Sequence, residues 1–88
     1  MELQIATRQC TDDQGRQRQF HYYLMVELEE TRRFSLENYG VRITEEGGDA
    51  SAFPALTTSA SRIDELVTLL VDHMVGPAGL ADVIADWL

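Results

Sequence analysis

The stretch that decides the fold is QFHYYLMVELE, residues 19–29. Side chains alternate along a β-strand, so every second residue lies on the same face of the sheet. One set in this stretch is wholly apolar or aromatic, namely Phe20, Tyr22, Leu24, Val26 and Leu28. The other set is mixed, namely His21, Tyr23, Met25, Glu27 and Glu29. The pattern predicts a strand whose first face packs on a core and whose second face meets solvent or a partner.

Three further stretches predict strands around this one. Residues 2–8, about 33–44 and about 50–56 carry strand patterns and are separated by short polar turns. Because Pro54 has no N–H to donate to a neighbouring strand, the last of these strands belongs at an edge of the sheet. Short connections favour pairing between strands that follow one another in the chain. We therefore predict an antiparallel meander.

The third predicted strand contains a conflict of phase. Its apolar residues follow two alternations, Phe34 and Leu36 in one and Tyr39, Val41 and Ile43 in the other. A change of phase within a strand requires an extra residue, because side chains alternate strictly. We therefore expect a bulge or bend near Asn38 to Gly40, with Gly40 absorbing it.

The period of the apolar residues changes after the strands. One helix face is indicated by spacings of three and four residues, at Ile63, Leu66, Val67, Leu70, Val71 and Met74. Ser59 or Ser61 can cap the start of this helix. We expect it to end at Gly76 and a second helix to begin at Pro77, because proline suits the first helical position. The buried face of that second helix is predicted to be Leu80, Val83, Ile84 and Trp87.

These patterns together predict an α+β fold. We expect an antiparallel four-stranded β-meander followed by two C-terminal helices packed on one sheet face, in the order ββββαα. The chain has 88 residues, which fits a single domain spanning 1–88. Within it, about 1–57 would form the sheet and about 59–88 the helical hairpin.

Charge and cysteine content narrow the class of protein. The net charge is −8, and the basic residues are all arginine. Residues 45–88 hold one arginine against eight acids, so we expect neither nucleic acid nor a membrane as a partner. Cys10 is the single cysteine, and no stretch resembles a signal peptide or a membrane span. We therefore expect a cytoplasmic protein.

The reactive residue types do not assemble into a chemical motif. His73 adjoins Asp72, but neighbouring helix positions point in different directions and cannot chelate one ion. Arg8 is the only positive charge close to Cys10 in the sequence, so we expect an unreactive thiol, and we interpret Asp82 and Asp86 as part of a solvated helix face. We predict no catalytic, metal-binding or cofactor-binding residues, and no cofactor.

The second face of the predicted sheet is the strongest surface feature. Apolar side chains there would form a patch, and an exposed patch often marks an interface. The candidate interface residues are Tyr23, Met25 and His21 from the second strand, with Leu36 or Tyr39 from the third. The competing interpretation is a small patch broken up by polar neighbours.

One set of residues, mostly in the second half of the chain, carries a family resemblance: Tyr39-Gly40-Val41, Ser59, Leu66 to Leu70, Val75-Gly76-Pro77 and Leu80 to Leu88, with an echo at Tyr22 to Leu24. With these residues the chain resembles a small domain-of-unknown-function family of Gram-positive anaerobic bacteria. Members end in a Val-x-Pro…Leu…Asp-Val-Ile-x-Asp-aromatic-Leu pattern, from which this chain departs at Gly76 and Gly79. The resemblance implies a bacterial cytoplasmic protein and implies no activity.

Three functional hypotheses follow. The first is a non-enzymatic protein-interaction or regulatory module whose partner is another protein or a second copy of the chain. The second is a small-ligand binder or an enzyme with a pocket between sheet and helices. The third is an acidic decoy of a nucleic-acid-binding protein, motivated by the charge of residues 45–88.

Overall fold

Four strands form one antiparallel sheet in the order of the chain. The structure, a computed structural model, describes residues 1–88. Its elements are β1 (Glu2–Thr11), β2 (Gln17–Glu30), β3 (Ser35–Glu45), β4 (Ala50–Thr57), α1 (Ala60–Asp72) and α2 (Leu80–Trp87). The sheet order is β1-β2-β3-β4, with β4 at an edge as Pro54 required. The predicted α+β fold, ββββαα, is confirmed.

Both helices cover the same face of the sheet, which we call the helix face. The opposite one is the outer face. The core consists of nine buried side chains, Phe20, Tyr22, Val41, Ile43, Ile63, Leu66, Leu70, Leu80 and Ile84. The strand members come from the apolar alternation of β2 and its continuation in β3, and the helix members come from the predicted helix faces. Val83 and Trp87 pack against this core and are half-buried.

The helix ends follow local capping rules. Ser59 caps α1, since its hydroxyl accepts a hydrogen bond from the Arg62 amide at 3.3 Å. Pro77 begins a 3₁₀ turn, Pro77–Gly79, so α2 itself starts at Leu80 rather than at Pro77. Tighter bonds to the residue three positions earlier, such as the Gly79 amide to the Gly76 carbonyl at 3.1 Å, account for the 3₁₀ geometry.

The expected bulge lies in β4 rather than in β3. β2 and β3 pair without a break along the whole of β3, whereas the β3–β4 register shifts where Tyr39 pairs with Thr57 and Val41 with Phe53. β4 thus uses two more residues than β3 over this step, and Ala55 has a positive φ of 55°. The prediction of an irregularity near Asn38 to Gly40 is confirmed in position, but its assignment to β3 was wrong: the extra residues belong to β4, and β3 keeps one phase and leaves Leu36 exposed.

β2 and β3 extend beyond their neighbours. The hydrogen bonds between the first strand and β2 end where Met1 pairs with Val26, and β4 pairs with β3 only from Tyr39. Residues 27–38 therefore form a two-stranded ribbon with its turn at 31–34. The ribbon contributes to the elongated shape of the molecule, whose longest dimension is 54 Å.

Candidate functional site

On the outer face, His21 is held in a polar network. Its Nε2 lies 2.8 Å from Glu46 Oε2, and its Nδ1 lies 3.1 Å from Thr7 Oγ1 and 3.3 Å from Gln4 Nε2. These contacts suit an imidazole that donates from Nε2 to the carboxylate and accepts at Nδ1. The His21 side chain is only 18% exposed, so the network leaves little of it free for a partner.

The remaining outer-face candidates are partly covered. The Arg42 guanidinium lies over the Tyr23 ring, 4.3 Å from its centre, and its Nε donates to Glu2 Oε1 at 2.8 Å. Met25 is half-buried opposite Gly40. Leu36 is 39% exposed on the ribbon. The structure therefore brings Tyr23, Met25 and Leu36 to the same face as His21, but much of that face is polar.

Tyr39 lies on the other face from these residues. It pairs with Val26, an inward residue of β2, and packs against the core. The unbroken β2–β3 register puts Tyr39 and Leu36 on opposite sides, so both could not belong to one patch. The Tyr39 hydroxyl donates to Glu37 Oε2 at 2.7 Å. This hydrogen bond, aided by desolvation, raises the pKa of Tyr39 above its usual value.

The helix face also holds an uncovered apolar surface. Past the end of the helix layer, a continuous set of apolar side chains remains accessible, and we call it the ledge: Leu3, Ile5, Leu24, Val26, Leu28 and Tyr39. Leu3 is 46% exposed, Ile5 40% and Leu28 60%. Apolar side chains that adjoin one another and remain exposed often mark an interface.

A groove runs between the ledge and α1. Its volume is about 200 Å³, and it is lined by Ile5, Leu24, Tyr39, Ala60, Ile63, Asp64 and Val67. Asp64 is its one charged lining residue. The groove marks the place where the helix layer stops and the ledge begins.

The charged side chains around the ledge are acidic, although the N-terminal ammonium of Met1 also lies there and donates to the Val26 carbonyl at 2.9 Å. On the helix face beyond Leu24, the strand residues include Glu30 on β2 and Glu37 on β3, and no arginine. Asp64 adds a third acid from the side of α1. Arg32 and Arg33 lie in the turn past the end of the ledge. The ledge is thus apolar with an acidic border.

The residues with reactive side chains are dispersed. Cys10 is a half-buried free thiol, and His73 is exposed as the C-cap of α1. No group of three or more histidine, cysteine, aspartate or glutamate side chains is arranged to bind a metal ion. Tyr22 donates from its hydroxyl to the Val75 carbonyl at 2.9 Å, and burial raises the pKa of Tyr22 to about 12. This tyrosine therefore joins β2 to the segment after α1.

Shallow surface pockets lie at the end of the sheet where the β1–β2 turn is, and they are lined by charged side chains that form ion pairs with one another. Arg18 is ion-paired with Glu45, which raises the pKa of Arg18 above its usual value. Asp12 accepts hydrogen bonds from the backbone amides of Arg16 and Gln14, and these lower the pKa of Asp12. Because the charged groups already have partners, these pockets offer no free cation or anion site.

Sequence reasoning missed the ledge, although a signal for it was present. β2 has 14 residues and α1 has 13. At about 3.3 Å per strand residue and 1.5 Å per helix residue, the strand is about 46 Å long and the helix about 20 Å. A helix layer of this length leaves part of the apolar alternation of β2 uncovered.

Comparisons with known proteins complete the description. Neither α1 nor α2 has the length and hydropathy that a membrane-spanning helix requires. Searches among curated proteins and among solved structures found no match. A family model matches residues 1–88, the whole of the chain. The chain therefore belongs to DUF6514, a family of unknown function.

Proposed function

We propose that this protein is a non-enzymatic protein-interaction module and that the ledge is its contact surface. The observation that carries the proposal is the exposure of Leu3, Ile5 and Leu28 beside the half-buried Leu24 and Val26. Burial of such side chains against a partner is favourable at about 25 cal/mol per Å² of apolar surface. The partner is another protein or a second copy of the chain.

The dimensions of the groove favour a macromolecular partner over a small ligand. Sites for small organic ligands usually enclose about 300–1,000 Å³ and carry several convergent polar groups. This groove has about 200 Å³, with Asp64 as its one charged lining residue. The groove continues into the flat ledge rather than closing around a cavity. The surface of another protein can cover the groove and the ledge together.

The outer face, which the sequence analysis singled out as the candidate interface, is the alternative contact surface. Its residues His21, Tyr23, Met25 and Leu36 share one side of the sheet. Two substitutions in the ribbon can distinguish which of the two faces binds a partner. Leu28 and Leu36 are both exposed on the ribbon, and they point to opposite sides.

The test compares Leu28→Asp with Leu36→Asp. A partner is first captured from the source cells with the wild-type protein and identified, and its affinity is then measured with purified components. We expect Leu28→Asp to weaken binding at least tenfold, because the new carboxylate would be buried in an apolar contact. Leu36→Asp should change the affinity less than twofold. Circular dichroism and urea unfolding confirm that both variants fold.

Two outcomes contradict the proposal. A partner that is lost with Leu36→Asp and kept with Leu28→Asp would assign the interface to the outer face. If no captured protein responds to either substitution, and the purified chain remains monomeric at high micromolar concentration, neither face is an interface and the interaction proposal fails.

We also propose a bacterial, cytoplasmic origin. The bacterial origin is supported by the similarity of the C-terminal residues to the pattern of the Gram-positive family. The free thiol of Cys10, which has no second cysteine to pair with, supports a reducing compartment. Thiol labelling of the native protein in intact and lysed cells tests this: a disulfide-linked species in the cell would contradict it.

A further inference from the structure

We propose that the partner of the ledge is a basic amphipathic helix of another protein, lying beside α1 as a third member of the helix layer. This inference rests on the proposed function, because it names the occupant of the same surface. It follows from the shape of the helix layer, from the charges at its open flank and from the net charge of the chain.

The helix layer is filled on one flank of α1 and open on the other. On the filled flank, the Arg62 guanidinium lies 4.4 Å from the centre of the Trp87 ring, and its Nη2 donates to the Trp87 carbonyl at 3.0 Å. Asp64 follows two positions later and points about 160° away, since each residue turns the helix by about 100°. It lines the groove, together with Ala60 and Val67.

The open flank has the floor that a helix requires. α1 packs on Tyr22 and Ile43 through an apolar stripe, and Leu24, Val26 and Leu28 continue the same row along β2. From Leu24 to Leu28 this apolar row extends for about 13 Å, and Glu30 follows at its end. A helix of about nine residues has that length. An apolar stripe spaced at three and four residues would rest on the row, as the stripe of α1 does on its own part of the sheet.

The sign of the charges selects a basic helix. Glu30, Glu37 and Asp64 border the ledge, and no arginine of β2 or β3 faces the same side there. Lysine or arginine residues flanking the apolar stripe of the incoming helix would therefore meet carboxylates. A second copy of this chain fits less well, because each copy has a net charge of −8 and would bring the same acidic border.

The probe is a 14-residue peptide with leucine at helical spacing and lysine on both flanks. Its control has glutamate in place of each lysine. Amide chemical shifts of the ¹⁵N-labelled protein report the site, and titrations give the affinity. We expect shifts concentrated at Leu24, Val26, Leu28 and Val67. The lysine peptide should bind about tenfold more tightly than its control at low salt, and this preference should shrink at high salt.

A charge-reversal pair supplies the control for non-specific attraction. Glu37→Lys/Asp64→Lys and Asp82→Lys/Asp86→Lys raise the net charge by the same four units. We expect the first pair to reverse the preference toward the glutamate peptide, and the second, on α2, to preserve it. Equal effects of the two pairs, or shifts outside the ledge, would overturn the inference.

The two proposals fail separately. If the lysine peptide does not bind while Leu28→Asp abolishes the capture of an identified partner, the ledge is an interface for a segment of other chemistry. If light scattering shows that the chain dimerises and Leu28→Asp restores the monomer, the occupant is a second copy. Either result rejects the basic helix and leaves the interaction module intact.

Discussion

Gly40→Ala is expected to destabilise the protein severely, because β4 passes directly over this residue. A Cβ at position 40 would overlap the Phe53 carbonyl oxygen, and it would lie 2.6 Å from Pro54 Cα and 3.0 Å from the Ala55 amide nitrogen. All three atoms belong to the backbone, so no side-chain rotation relieves the overlap. β4 would have to move by about 1 Å or detach from β3 along the bulge.

The magnitude follows from the number and nature of these contacts. Overpacking a core typically costs about 1–3 kcal/mol, and a backbone overlap belongs at or above the upper limit. We expect a loss of about 3 kcal/mol in the free energy of unfolding. For a domain of this size, that loss lowers the Tm by about 12–24 °C. It is also a large part of the total stability, which is about 4–13 kcal/mol at 0.05–0.15 kcal/mol per residue.

The assay is thermal and urea unfolding followed by circular dichroism, with Gly79→Ala as the control. Gly79 has a φ of −93°, and a Cβ there would lie 3.6 Å from Val75 Cγ1, an ordinary contact. This control should leave the Tm within a few degrees of the wild type. A Gly40→Ala protein as stable as Gly79→Ala would refute the placement of the β4 bulge over Gly40.

Two further predictions concern the core and the C-terminal helix. Tyr22→Phe should cost about 1 kcal/mol, because the Val75 carbonyl loses its donor. The wild type should also lose stability above pH 10, because the unfolded state ionises Tyr22 while the folded state holds its pKa at about 12. By pH 11.5 this loss is about 2 kcal/mol and exceeds the contribution of the hydrogen bond, so the wild type should have the higher urea midpoint at pH 9 and the lower one at pH 11.5. An unchanged difference between the two proteins would contradict this. Trp87→Ala should cost about 2 kcal/mol, less than a fully buried tryptophan, because the ring is half-buried between the core and Arg62. Leu88→Ala, at a position 73% exposed, should be neutral in the same urea assay, and an equal effect of both would mean that α2 is not docked on the sheet.

Much of the fold was predictable because its elements obey local rules. The alternation in residues 19–29 identified the inner face of β2, and the three-to-four spacing identified the inner faces of both helices. The exception is Met74, which was predicted on the inner face of the first helix but lies beyond the end of α1 and is 45% exposed. Pro54 identified the edge strand. Local rules could not predict which residues of neighbouring strands contact each other. The position of the bulge depends on how β4 passes Gly40, which is a contact between residues far apart in the chain.

The open choice between Leu36 and Tyr39 has the same origin as the omission of the ledge. Apolar residues in two phases within β3 admit two solutions: an extra residue that returns them to one face, or an unbroken strand that exposes one set. The structure has the second solution, since β2 and β3 pair in register throughout. The first solution would have been required only if every apolar residue in the strand belonged to the core.

The two alternations of apolar residues in β3 therefore indicate an exposed apolar side chain rather than a bulge in that strand. Leu36 on the outer face and Leu28 on the helix face are exposed on the same ribbon, where no helix is present to cover either. A ribbon with exposed leucine on both sides departs from the pattern of a strand that has one buried and one solvated face. Such departures from local consistency tend to occur at functional sites. The two faces differ in what surrounds these leucines, because ion pairs and a histidine network occupy much of the outer face, while the helix face offers an open flank beside α1. That difference is the physical reason to expect a partner on the helix face.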